Sequence, residues 1–167
     1  MGAIDELLAR HRAGLAQRTC CDLDSGHHAK PRLRVVVLTC MDARIDPAKL
    51  LGLRPGDAHV LRNAGGLVTD DALRSLVLSQ QALGTEEVMV IQHTSCGVHG
   101  LRDADLSGRL TAQTGIDLGL TFGGFDDVDA SVRTSLAKVR DCVWLNRRDA
   151  ARGFVYDVAT GHLREVT

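Results

Sequence analysis

Apolar positions along this chain follow two different periods. Ile4, Leu7, Leu8, His11 and Leu15 fall on one stripe at helical spacing, which predicts a first helix over roughly residues 4–18. Val35-Val36-Val37-Leu38 and Val88-Met89-Val90-Ile91 are instead continuous apolar runs, rich in β-branched residues and bounded by polar ones. Such runs read as strands buried on both faces, over about 33–39 and 87–92. His59-Val60-Leu61-Arg62 makes another strand. Pro47 to Leu51 predicts a short helical turn closed by Gly52, and Arg54-Pro55-Gly56-Asp57 a turn. Thr69 is a helix N-cap with Asp70 and Asp71 in the first turn, and Leu73, Leu76, Val77 and Leu83 carry that helix to a C-cap at Gly84. Between Gly97 and Asp126 the pattern weakens to a short helix around Leu106–Thr114 and a glycine-rich loop. Val128, Val132, Leu136, Val139 and Val143 then share one face of a long helix, with Cys142 beside it as an inert core thiol. Gly153–Asp157 and Leu163–Val166 flank Ala159-Thr160-Gly161-His162 as a closing β-hairpin.

Strands alternating with helices imply βαβ units. The expected fold is α/β: a mainly parallel central sheet flanked by helices, with an antiparallel C-terminal edge hairpin and an N-terminal helix. With 167 residues, no repeat and no linker, the whole chain 1–167 reads as one domain with a core of its own. Twenty basic against twenty-one acidic side chains give no reason to expect a nucleic-acid or membrane-surface partner, and 3% aromatics argue against base stacking. An acidic pair, Asp5-Glu6, stands where a signal peptide needs cations, and no apolar run approaches membrane-spanning length. Five cysteines without an export signal predict a reduced, cytoplasmic setting.

Both apolar runs end at chemistry: Thr39-Cys40-Met41-Asp42-Ala43-Arg44 after the first, His93-Thr94-Ser95-Cys96-Gly97 after the second. The carboxyl ends of strands in an open parallel sheet are where ligands bind. Two thiols and an imidazole converging there would make a Cys2His site, which suits zinc and leaves one coordination position open. The bland alternative is two buried thiols and a core histidine. Cys40-x-Asp42-x-Arg44 speaks against it: if the chain stays extended, alternation points the three side chains the same way. An arginine fork two residues from a carboxylate can hold it ionised. Asn63-Ala64-Gly65-Gly66 lacks the spacing of a dinucleotide loop and the Lys-Ser/Thr of a P-loop, so it reads as a tight loop whose backbone approaches something small. Cys20-Cys21 and His27-His28 read as a surface loop, since adjacent cysteines cannot easily share a tetrahedral metal.

Cys40-Met41-Asp42-Ala43-Arg44, Arg62-Asn63-Ala64-Gly65-Gly66 and His93-Thr94-x-Cys96-Gly97, in this order, resemble the β-class carbonic anhydrases, as does Thr69–Leu76 after the glycine loop. The likeness spans roughly residues 33–100, and the compact length and Arg152–Asp157 resemble the short bacterial and archaeal members. The resemblance implies Cys40, His93 and Cys96 as ligands of Zn2+, with Asp42 and Arg44 as a dyad in which Asp42 accepts a hydrogen bond from metal-bound water. In some members this aspartate becomes a fourth zinc ligand and closes the site. Ala64, Gly65, Gly66 and Gly97 would line the substrate pocket. The implied reaction is zinc-dependent reversible hydration of carbon dioxide to bicarbonate and a proton. The alternatives are hydrolysis of carbon disulfide or carbonyl sulfide on the same site, and a non-catalytic zinc protein with a closed site. The family further implies a homodimer or a dimer of dimers, with residues 1–18 embracing a partner subunit. Ser95 stands where close relatives carry aspartate, and His99 reads as a solvated loop histidine.

Overall fold

The computed structural model describes residues 2–17 and 29–167. Helix α1 spans Ala3–Gln17; the side chain of Leu15, and the Cys20-Cys21 and His27-His28 pairs, lie outside what is described. The body runs β1 (Val35–Cys40), α2 (Pro47–Leu51), β2 (Ala58–Asn63), α3 (Asp70–Gln81), β3 (Glu87–His93), α4 (Asp103–Thr114), α5 (Val128–Asp141), β4 (Ala151–Tyr156) and β5 (Leu163–Val166). The five strands form one sheet in the order β2-β1-β3-β4-β5. All neighbours are parallel except β4 and β5. The mainly parallel α/β sheet with an antiparallel edge is therefore as expected, although β4 serves as a parallel partner of β3 as well as an arm of the hairpin.

Local chemistry sets the element ends. The Asp46 carboxylate caps α2 at the N–H groups of Ala48 and Lys49, Pro47 fills the first turn, and Gly52 closes it at φ 66°. The Thr69 hydroxyl caps α3 at the N–H of Ala72. Two expectations shift. The C-cap of α3 is Ala82 rather than Gly84, because the chain leaves the helix two residues before the glycine turns it at φ 73°. Helix α5 ends at Asp141, so Val143 does not extend its apolar face and is 77% exposed.

The core lies between the sheet and α3 and α5: Val36, Leu38, Leu76, Val90, Val132 and Val139 are at most 1% exposed. Full burial of each is worth about 2 kcal/mol. Cys142 packs on this cluster as a free thiol, as expected. Gly153 shows how closely α5 lies on β4: a Cβ there would stand 2.4 Å from Val132 Cγ1. Register fixes the rest. Thr39 pairs with Ile91, so β1 and β3 stop level with each other and present Cys40 and His93 at one edge.

Candidate metal centre

Cys40 ends β1, His93 ends β3, and Cys96 follows in the turn beyond; all three are buried. Their donor atoms lie within 4.8 Å of one another, and the two sulfurs are 3.8 Å apart. The His93 Nδ1–H donates to the Thr94 carbonyl at 2.9 Å, which leaves the lone pair on Nε2. That Nε2 is buried and has no hydrogen-bond partner among the described residues. A buried polar atom without a partner is costly and calls for an explanation. Two sulfurs and an imidazole nitrogen whose other nitrogen is held by a backbone carbonyl are a donor set that fits a divalent metal.

Ionisation favours the same reading. Burial pushes the Cys40 thiol up, but the His93 ring and the N–H groups of Asp42 and Gly65 outweigh it and bring it down to about 7. The Cys96 thiol is pushed up by burial, which the Val98 N–H offsets only in part beside the Cys40 sulfur. His93 is raised: burial opposes its charged form, but the neighbouring Cys40 sulfur outweighs burial. A dication would hold both sulfurs as thiolates.

Asp42 and Arg44 meet by a different route from the one expected. The chain turns after Cys40 rather than staying extended, and Ile45 N–H closes the turn on the Asp42 carbonyl at 3.0 Å. Asp42 Oδ1 accepts the Arg44 N–H and Nε–H, each at 2.9 Å, and Oδ2 accepts Nη2 at 2.7 Å. Arg44's side chain, then its backbone N–H, holds the Asp42 carboxyl well below the usual carboxylate range. Arg44 Nη2 also donates to the Ser95 carbonyl at 2.8 Å. Ser95 sits at φ 53°, where aspartate and asparagine are more at home than serine. The Asp42 carboxylate stands 3.8 Å from His93 Nε2, beside the donor set.

The glycine loop packs against the strand ends. Gly66, at φ 63°, lies so close to the strand ends that a Cβ would stand 2.8 Å from the Ile91 carbonyl and 2.9 Å from the Cys40 nitrogen. Gly65 and Gly66 are buried and Ala64 half-buried next to the thiols. Gly97 differs: it is exposed, with nothing within 4 Å of a Cβ. An open cleft of about 830 Å3 starts at Asn63 and Ala64 and runs toward Lys138, but none of the three donors lines it. His99 is exposed, yet its Nε2 bonds to the Asp126 carbonyl at 2.9 Å and its ring packs on Phe125.

Some contributors were not singled out from the sequence. Arg62 donates to the carbonyls of Cys40 at 3.0 Å and Asp42 at 2.7 Å, bracing the turn that carries both side chains. Val98, Phe125 and Tyr156 pack on the cluster of Cys40, Ile45 and Cys96. The charge of Arg62 on an edge strand just before the glycines was the available signal for the first; the others depend on distant chain segments.

A family model described as carbonic anhydrase matches residues 35–114. Beta-carbonic anhydrase 1 of Mycobacterium tuberculosis is 42% identical over 137 residues, covering 82% of this chain and 84% of its own length. A carbon disulfide hydrolase of Acidithiobacillus thiooxidans is 37% identical over 152 residues, covering 78% of this chain and 76% of its own. Among solved structures, the carbonic anhydrase of Streptococcus mutans superposes with a TM-score of 0.87 at 40% identity, over 100% of this chain and 99% of that one. With its sheet, its paired strand ends and these relatives in agreement, the chain belongs to the β-carbonic anhydrase family of metalloenzymes.

Proposed function

We propose that this protein catalyses the reversible hydration of carbon dioxide to bicarbonate and a proton, with zinc held by Cys40, His93 and Cys96. The observation that carries this is the unpartnered His93 Nε2 facing two sulfurs, beside a carboxylate engaged by Arg44. A zinc ion held there would supply Lewis acidity, lowering the pKa of water so that hydroxide is available near neutral pH. The chain's own residues do the rest. Asp42, kept ionised by Arg44, is placed to accept a hydrogen bond from a water beside the donor set. Arg44, braced on the Ser95 carbonyl, fixes the direction of that carboxylate. Ala64, Gly65 and Gly66 offer a small wall without hydrogen-bonding side chains, which suits a linear apolar molecule, and Gly97 leaves the approach beside Cys96 open. If Asp42 left Arg44 for the metal it would close the site; its three bonds to Arg44 favour the open arrangement.

A second reading is hydrolysis of carbon disulfide or carbonyl sulfide on the same site, favoured by the relative named carbon disulfide hydrolase. A purely structural zinc protein is disfavoured, because such a site needs no carboxylate tethered beside its ligands. Stopped-flow assays of the zinc-loaded protein with carbon dioxide and with carbonyl sulfide test the choice. Faster turnover of carbon dioxide is expected, and activity on the sulfur compound alone would overturn the first reading.

We further propose one domain acting as a homodimer or dimer of dimers in a reducing, cytoplasmic setting. Ile4, Leu7 and Leu8 on α1 are 74%, 61% and 47% exposed, an apolar stripe that a second copy would cover. No helix among the described residues is long and apolar enough to cross a membrane. Sedimentation should find a dimer or larger species, whereas an active monomer at micromolar concentration would refute the assembly.

A further inference from the structure

Helix α4 buries none of its own residues, so apolar packing does little to hold its start in place. Asp103, its first residue, turns away from the helix's own N–H groups to a segment far along the chain. Its Oδ2 accepts the N–H of Phe122 at 2.8 Å and of Gly123 at 3.1 Å, and its Oδ1 accepts the N–H of Gly124 at 3.0 Å. Three consecutive backbone donors thus close on one carboxylate. The N–H groups of Gly124 and Gly123 lead in holding the Asp103 carboxyl below its ordinary range.

The segment so held sits flush on its neighbours. A Cβ on Gly123, at φ 76°, would stand 2.4 Å from Leu67 Cδ1, and one on Gly124 would stand 1.9 Å from the Leu101 carbonyl oxygen. The next residue, Phe125, donates its N–H to the Val98 carbonyl at 3.4 Å and accepts the Gly100 N–H at 2.8 Å. Val98 in turn packs, with Phe125, on the cluster of Cys40, Ile45 and Cys96. Its side chain covers the glycine loop, with Cγ2 2.9 Å from where a Gly65 Cβ would be. An unbroken series of contacts therefore runs from Asp103 to the cluster that carries both cysteines of the metal centre.

We propose that Asp103 is a positioning residue for the metal centre: through Phe122–Phe125 it holds Val98 packed against Cys40 and Cys96, with the Val98 side chain over Gly65. This rests on the Cys2His assignment made above. Groups packed one layer beyond the ligands set ligand orientation, and with it the strength of the metal bond. Asp103→Asn leaves a single acceptor oxygen and places an amide donor against a backbone N–H, while Asp103→Ala leaves no acceptor. Their effects should therefore be graded.

The test loads wild type and both variants with zinc for carbon dioxide hydration and with cobalt(II) for spectroscopy, and follows amide hydrogen exchange. Both variants should retain metal, with kcat/KM lower by about tenfold in Asp103→Ala and by less in Asp103→Asn. The thiolate-to-cobalt charge-transfer band should shift in the same order. Amides from Val98 to Leu101 should exchange faster while those of β1 and β3 stay protected. A wild-type band and wild-type exchange at Val98–Leu101 in both variants would overturn the proposal, even if melting temperatures fell. Should Asp103→Ala fail to fold, the band of Asp103→Asn decides alone, unchanged against the proposal and shifted for it. A shifted band in a protein that does not hydrate carbon dioxide would remove the proposed reaction and leave this inference standing.

Discussion

The two ends of β1 and β3 live under opposite rules. Toward their middles, Val36, Leu38, Val88 and Val90 are packed dry against α3 and α5, with nothing left to satisfy. At their carboxyl ends the same strands hold two thiols, an imidazole and most of the polar loose ends. Of four buried side-chain polar atoms without a partner among the described residues, three belong to Thr39, Gln92 and His93. The first region is built for stability alone. The second leaves the buried His93 Nε2, beside two sulfurs, without a partner among the described residues, which a fold keeps where a ligand supplies one.

The contrast can be broken most decisively at the ligands. His93→Ala or Cys40→Ser should lose both bound zinc and carbon dioxide hydration while the far-ultraviolet circular dichroism of the sheet persists. Metal analysis alongside stopped-flow assay checks this, and Cys142→Ser, in the dry region, should change neither. Next in size is Arg44→Ala, which frees Asp42 from its fork. Zinc should be retained and kcat/KM should fall about 10- to 100-fold, as for other residues that orient a metal site.

How much of this contrast the sequence carried depends on how local each cause is. The strand ends were legible because apolar runs stop at Cys40 and His93, and Thr69, Pro47 and Gly52 announce their helix ends within one turn. The pairing of Asp42 with Arg44 was anticipated but for the wrong geometry: a turn closed by Ile45, not an extended chain, joins them. The short helix expected around Leu106–Thr114 is found as α4, but the path of the loop after it stayed opaque, because Asp103 holds backbone groups of Phe122, Gly123 and Gly124, far away in sequence and invisible to periodicity. Val143 misled because its helical spacing continues past Asp141, where the helix stops.

The dry region answers to a different readout. Leu136→Ala should destabilise the fold by about 2–5 kcal/mol, seen as a lower denaturant midpoint, with zinc per chain unchanged. Gly153→Ala should cost about 1–3 kcal/mol, because its methyl would press on Val132 and Leu136.

The smallest effect belongs to a surface pair. Arg164 bonds Asp129 and holds its carboxyl below the ordinary range. A carboxyl lowered on folding adds stability above its unfolded pKa and loses it as pH falls through its folded one. Asp129→Asn should therefore lower the unfolding free energy at neutral pH by less than about 1 kcal/mol. The difference from wild type should fade as the pH falls below about 4, which urea titrations between pH 7 and pH 3 would show.

That the carboxyl end of these strands is a catalytic zinc site is tested most directly by titrating zinc into metal-free protein while following carbon dioxide hydration. Activity should rise in proportion to bound zinc and break at about one ion per chain. A protein carrying its full zinc and hydrating carbon dioxide no faster than buffer would contradict the account.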